Sequence, residues 1–171
     1  MGSQECGKIS PFGKVPCLVC DDGTAIAESA VINEYLEQQF FEPLLLSAAA
    51  TDHARVRVGV RVTEAYVFAR YLPLFAIAKV QGEQVAAVTK GMEAVMDSLA
   101  VLGRFIDGED YAIGNALSLA DGAIAPALFD ITEYAAEYFG ASDALENCSK
   151  LEACWSRIQT NPHVARALAE R

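Results

Sequence analysis

The chain has 171 residues, enough for one large domain or two small ones, and 53% of them are hydrophobic, so a sizeable core can be buried. A net charge of −10 argues against a nucleic-acid surface and an anionic membrane surface, although a local group of N–H donors can still hold a small anion. The five cysteines have no framework spacing, no apolar run reaches bilayer length, and the polar opening MGSQECGKIS has no hydrophobic signal region; a reduced, cytoplasmic protein without a membrane span is expected.

After the polar residues 1–9, Ser10 to Leu36 (SPFGKVPCLVCDDGTAIAESAVINEYL) reads as strand, turn, strand, helix. Val15-Pro16 opens a strand over Cys17 to Cys20, Asp21-Asp22-Gly23 is a turn signal, and Thr24 to Ala27 is a second strand. Glu28-Ser29 then tips the chain into an amphipathic helix with Ala30, Val31, Tyr35 and Leu36 as candidate buried positions. Cys17 and Cys20 are formally C-x-x-C, but strand positions three apart face opposite sides, so they read as structural. Cys6 reads as a free thiol.

Two spots in this stretch carry a chemical signature. A proline just ahead of an apolar strand suits a turn, and a cis Val15-Pro16 bond would leave the Val15 backbone open to an extended, peptide-like ligand. Ser29, at a strand-to-helix junction, is placed to cap a helix whose unpaired N–H groups make a carboxylate site. Taken singly, a proline in a loop and a serine at a helix start are ordinary structural features.

Phe41 to Ala50 reads as a linker, and Thr51 as the N-cap of a long helix with Asp52 favourable to its dipole. Val56, Val60, Val67, Tyr71 and Leu74 keep helical spacing, and Pro73 is expected to kink or end the helix. Its aromatic band, Tyr66, Phe68, Tyr71 and Phe75, packs against a neighbouring helix or walls an apolar pocket. Glu83 to Ile106 forms a second helix with a seam of Val85, Val88, Met92, Val95, Leu99, Leu102 and Ile106, suited to antiparallel pairing. Ser118-Leu-Ala-Asp121 is the acidic variant of a capping box, and the Ala-rich run after it is apolar nearly all round, as a central bundle helix requires. Leu145 to Thr160 is another amphipathic helix with Trp155 in the core and Cys148 and Cys154 as core fillers. Pro162 opens a last short helix. His53 and His163 lack partners at ligand spacing, so no metal is expected.

GKVPCLV, then DDG, then ESAVINEYLEQQF, resembles the second half of the thioredoxin-like domain of glutathione transferases. The buried helix opened by an S/T-x-x-D box resembles their helical domain. The resemblance implies an α+β, mostly α fold: a truncated thioredoxin-like β-β-α segment (1–40), a linker (41–50) and an all-helical C-terminal domain (51–171). It implies that Val15-Pro16 is cis and that the Val15 backbone holds the cysteinyl part of glutathione. Glu28 and Ser29 would hold the γ-glutamyl carboxylate, and Lys14 would add charge near the glycyl end. It further implies a small hydrophobic electrophile beside Tyr66, Phe68 and Tyr71, a homodimer, and a folding role for Ser118 and Asp121. No residue matches the family's thiol-activating Tyr, Ser or Cys, because nine residues precede Ser10 where a β-α-β unit takes about 30. Two expectations follow: a glutathione transferase, or a non-catalytic interaction or ligand-binding module of the same fold.

Overall fold

The computed structural model describes residues 6–10, 12–40, 42–78, 85–141 and 144–170. They fall into two compact units, Met1–Leu45 and Leu46–Arg171.

The first unit runs α1 (Cys6–Ile9), β1 (Cys17–Val19), β2 (Ala25–Ala27) and α2 (Ser29–Gln39). The strands are antiparallel, with Cys17 opposite Ala27, Leu18 opposite Ile26 and Val19 opposite Ala25. The turn forms where Asp-Asp-Gly demands it. The Gly23 N–H donates to the Cys20 carbonyl at 2.9 Å, the Cys20 N–H to the Thr24 carbonyl at 2.9 Å, and the Thr24 N–H to Asp22 Oδ1 at 2.8 Å. Gly23 takes the left-handed φ of 87° that a side chain would resist. The helix α2 turns a different residue inward than its sequence suggests: Ile32 is buried, Val31 is exposed, and Ala30, Tyr35 and Leu36 are only partly covered. Glu37 accepts the Leu45 N–H at 2.6 Å, tying the chain after α2 back onto it.

The second unit is a helical bundle. One continuous helical path contains α3 (Ala50–Val62), a π-helical stretch (Thr63–Phe68) and α4 (Ala69–Ala78). It is followed by α5 (Val85–Leu102), α6 (Leu119–Phe139), α7 (Ser149–Ile158) and α8 (Pro162–Ala169). Thr51 does not cap α3. The cap position lies two residues earlier, at Ala49, with no side-chain cap bond, while Asp52 lies in the first turn as expected. Pro73 lies inside α4, which continues to Ala78. The π-helical geometry before it carries Tyr66 and Phe68; such stretches recur at functional sites, and nothing in the composition announces this one.

The seam of α5 is buried at Val88, Met92, Val95, Leu99 and Leu102; the helix ends there, earlier than the spacing suggests, and Ile106 is buried in the loop beyond it. The central helix is α6, sealed along Ala120, Ile124, Leu128, Ile131 and Ala135. Gly59 of α3 allows the close approach to α6, since a Cβ there would stand 2.8 Å from Ile113 Cδ1 and 3.1 Å from Ala120 Cβ. Trp155, Cys148 and Cys154 join the core, and burial pushes the Cys154 thiol up to about 12, which leaves it inert as a nucleophile. Asn161 caps α8 by accepting the His163 N–H at 3.0 Å, with Pro162 at the first helical position. The thiol of Cys6, Phe41 at the head of the expected linker, the helix start at Glu83 and the Val85 side chain lie outside the described residues. Among the described residues, no helix is long and apolar enough to cross a membrane.

Candidate functional site

Antiparallel register places the candidate binding residues. The β1–β2 pairing ends at Cys17 opposite Ala27, so Val15-Pro16, just before β1, and Glu28-Ser29, just after β2, both adjoin that end of the ribbon. The Val15-Pro16 bond is cis, and Val15, 72% exposed, stands beyond the ladder. Lys14, Pro16, Glu28 and Ser29 are exposed too. One end of one hairpin therefore carries both an exposed segment ahead of β1 and the start of an eleven-residue helix.

That helix start differs in one respect from the sequence reading. Glu28, not Ser29, occupies the N-cap position, and Ser29 is the first residue inside α2. No side chain caps the helix, and the first intrahelical bond runs from the Ile32 N–H to the Glu28 carbonyl at 2.9 Å. With no cap bond from the Glu28 side chain, the positive partial charge of the first-turn N–H groups is of the kind that attracts a carboxylate. Glu28 holds φ 71° and ψ 118°, left-handed backbone that costs a non-glycine residue about 1–3 kcal/mol. This strain lies where the chain turns from β2 into α2, and it sets the direction in which the helix N-terminus points. The sequence offered no signal for it, because a glutamate gives no warning of a positive φ.

The aromatic residues separate. Tyr66 is 52% exposed and Phe68 is half-buried against the core. Tyr71 is fully buried: its hydroxyl donates to the Asp130 carbonyl at 2.7 Å, and its ring makes edge-on contacts with Phe75 and Phe139. Burial raises the Tyr71 hydroxyl well above its ordinary range. The expected pocket wall therefore loses Tyr71 to the core, where packing against neighbouring helices claims it.

Ser118 and Asp121 lie where the box requires. Asp121 Oδ2 accepts both the backbone N–H and the hydroxyl of Ser118 at 2.8 Å, and Oδ1 accepts the Ala112 N–H at 2.7 Å. The bond from the Ser118 N–H to Asp121 is the reciprocal half of a capping box, and the serine hydroxyl donates to the same carboxylate oxygen. The carboxylate, fully buried, fixes both the start of α6 and the loop before it. Burial raises the Asp121 carboxyl, against the lowering pull of these donors.

With this geometry in view, comparison with known proteins gives a consistent family. The glutathione S-transferase N-terminal domain matches residues 3–39 and the glutathione S-transferase C-terminal domain matches residues 76–171. The chain belongs to the glutathione S-transferase family. It is 28% identical over 161 residues to a maleylacetoacetate isomerase of Pseudomonas aeruginosa, covering 93% of this chain and 69% of that protein. It is 29% identical over 168 residues to a glutathione S-transferase of Pseudomonas putida, covering 96% of this chain and 74% of that one. Among solved structures it resembles a sphingomonad glutathione S-transferase complexed with glutathione, with a TM-score of 0.75 and 25% identity, covering 99% of this chain and 79% of that chain. These relatives include both a transferase and an isomerase, so family membership by itself leaves the reaction open.

Proposed function

We propose that this chain binds glutathione at the open end of its hairpin and, as a transferase, presents the thiol to a small hydrophobic electrophile. The observation that supports this reading is that the exposed Val15 and the start of α2, which has no side-chain cap from Glu28, adjoin the same end of the β1–β2 ribbon. The Val15 backbone would pair with the cysteinyl unit, as one strand adds to another. Ser29 and the first-turn N–H groups would hold the γ-glutamyl carboxylate, Glu28 would face the α-amino group, and Lys14 would meet the glycyl end. Tyr66 and Phe68 would offer apolar surface to the electrophile. The reading includes a homodimer in the cytoplasm, where the free thiols of Cys17, Cys20, Cys148 and Cys154 stay reduced.

The alternative is a non-catalytic interaction or ligand-binding module of the same fold, and the make-up of the proposed contacts keeps it in play. Lys14, Val15, Pro16, Glu28 and Ser29 act on backbone and charged ends, and none acts on sulfur. Calorimetry with glutathione tests the binding site. Ser29→Ala should weaken binding by about 1.5–3 kcal/mol, the range for a charge-assisted hydrogen bond, with the unfolding midpoint unchanged. Binding that Ser29→Ala leaves untouched would remove the site. Conjugation of glutathione to an aryl halide separates the two forms: turnover supports the transferase, and binding without turnover supports the module.

A further inference from the structure

The helical unit carries a recess away from the hairpin. A cavity of about 530 Å³ opens between the second half of α6, the turn at 144–147 and the outer face of α7. That volume lies in the range of small-molecule sites, about 300–1,000 Å³. Leu145 and Trp155 supply its apolar surface, Glu146 and Glu152 its charge, and Thr132 and Ser156 its hydroxyls.

The hydroxyls decide what such a cavity can hold. Thr132 Oγ1 donates to the Leu128 carbonyl at 2.8 Å, and Ser156 Oγ donates to the Glu152 carbonyl at 2.9 Å. A hydroxyl has one proton, so each has spent its donor within its own helix and meets an occupant as an acceptor. Ionised Glu146 and Glu152 accept only, and both are exposed. The indole N–H of Trp155 is the one side-chain donor among the described lining residues, and no Lys or Arg is among them. Acceptors and negative charge beside an indole disfavour an anion and favour a ligand rich in N–H donors.

We propose that this cavity binds a small organic cation, an ammonium group carried on an apolar body. The carboxylates and hydroxyls take its N–H donors, and the indole takes its charge and its apolar part. The anionic ligand of the hairpin has no place here, so the two sites stand or fall separately.

Trp155 is the sole tryptophan of the chain, which makes its fluorescence a direct reporter. The full chain is titrated with benzylammonium, with neutral benzyl alcohol and with anionic benzoate, exciting the indole selectively. A saturable change is expected with benzylammonium alone. Glu146→Gln and Glu152→Gln, both at exposed positions, are each expected to weaken it, and together by about tenfold or more, with the unfolding midpoint in place. The proposal is overturned if benzylammonium gives no saturable change, if benzyl alcohol or benzoate binds as tightly, or if the folded double variant binds benzylammonium as the parent does.

Discussion

In the helical unit, large apolar side chains from every long helix converge on one core; in the hairpin unit, Ile32 is the only buried apolar side chain among the described residues. The first unit leaves Phe12, Val15, Val31, Phe40 and Leu44 exposed, whereas the second seals Leu99, Leu102, Ile124, Leu128, Ile131, Leu151 and Ile158 almost completely. The difference separates two tasks. Residues proposed to touch the ligand work through open backbone and an uncapped helix end, features that a dense core would cover. Stability resides where burial is deep, because each buried large side chain contributes about 1.5–3 kcal/mol.

The largest effect expected from this contrast is in the core. Leu99→Ala, at a fully buried seam position, should cost about 2–5 kcal/mol, measured as a lower urea midpoint. The same truncation at Ile32 should loosen the hairpin unit alone, seen as faster amide exchange in its strands with the main transition in place. Equal shifts of the main transition in both variants would show that the units unfold together.

A smaller effect is expected at the start of α6. Asp121→Asn can still accept a hydrogen bond, but its amide sets a donor against one of the three donors that Asp121 now satisfies. The cost should be about 1–3 kcal/mol, that of a buried polar group without its partner. The pH dependence sharpens the point. Burial raises the folded-state carboxyl above its unfolded value, so the folded chain holds more proton across that window. Its stabilising contribution is then full below the unfolded value and is lost as pH rises through the folded one. The advantage of the wild type over Asp121→Asn should therefore be greatest in acid and shrink as pH rises. An advantage that grows with pH would mean that the three donors outweigh burial. Ser118→Ala removes only the hydroxyl bond, leaving the Ser118 N–H on Asp121, and should cost about 0.5–1.5 kcal/mol in the same denaturation assay.

The smallest effect on stability is expected at Glu28. Glycine adopts φ 71° without penalty, so Glu28→Gly should leave the hairpin unit as stable or slightly more so by amide exchange. Glutathione binding should weaken, since the carboxylate is gone. A destabilised hairpin would show that the Glu28 side chain, not its backbone, holds the turn.

Much of this was legible in the sequence. Asp21-Asp22-Gly23 dictated a tight turn because few backbones other than a hairpin use a left-handed glycine after two short polar residues. The α5 seam followed from three- and four-residue spacing, and the central place of α6 from a helix apolar on every side. The spacing of Ser118 and Asp121 marked the start of that helix. What tertiary structure decided were matters of direction. Periodicity pointed to Ala30, Val31, Tyr35 and Leu36 for the interior of α2, but the turn from β2, where Glu28 takes its positive φ, leaves Ile32 buried and Val31 exposed. Tyr66 and Tyr71 share one aromatic band in the sequence, yet the π-helical stretch and the neighbours Phe75 and Phe139 bury one and expose the other. Asp121 reaches Ala112, nine residues back, because a buried carboxylate must find a donor for each oxygen and the loop supplies it. Local chemistry determined which elements form, since turns, caps and seams depend on near neighbours; which face each element presents depended on contacts between residues far apart in the chain.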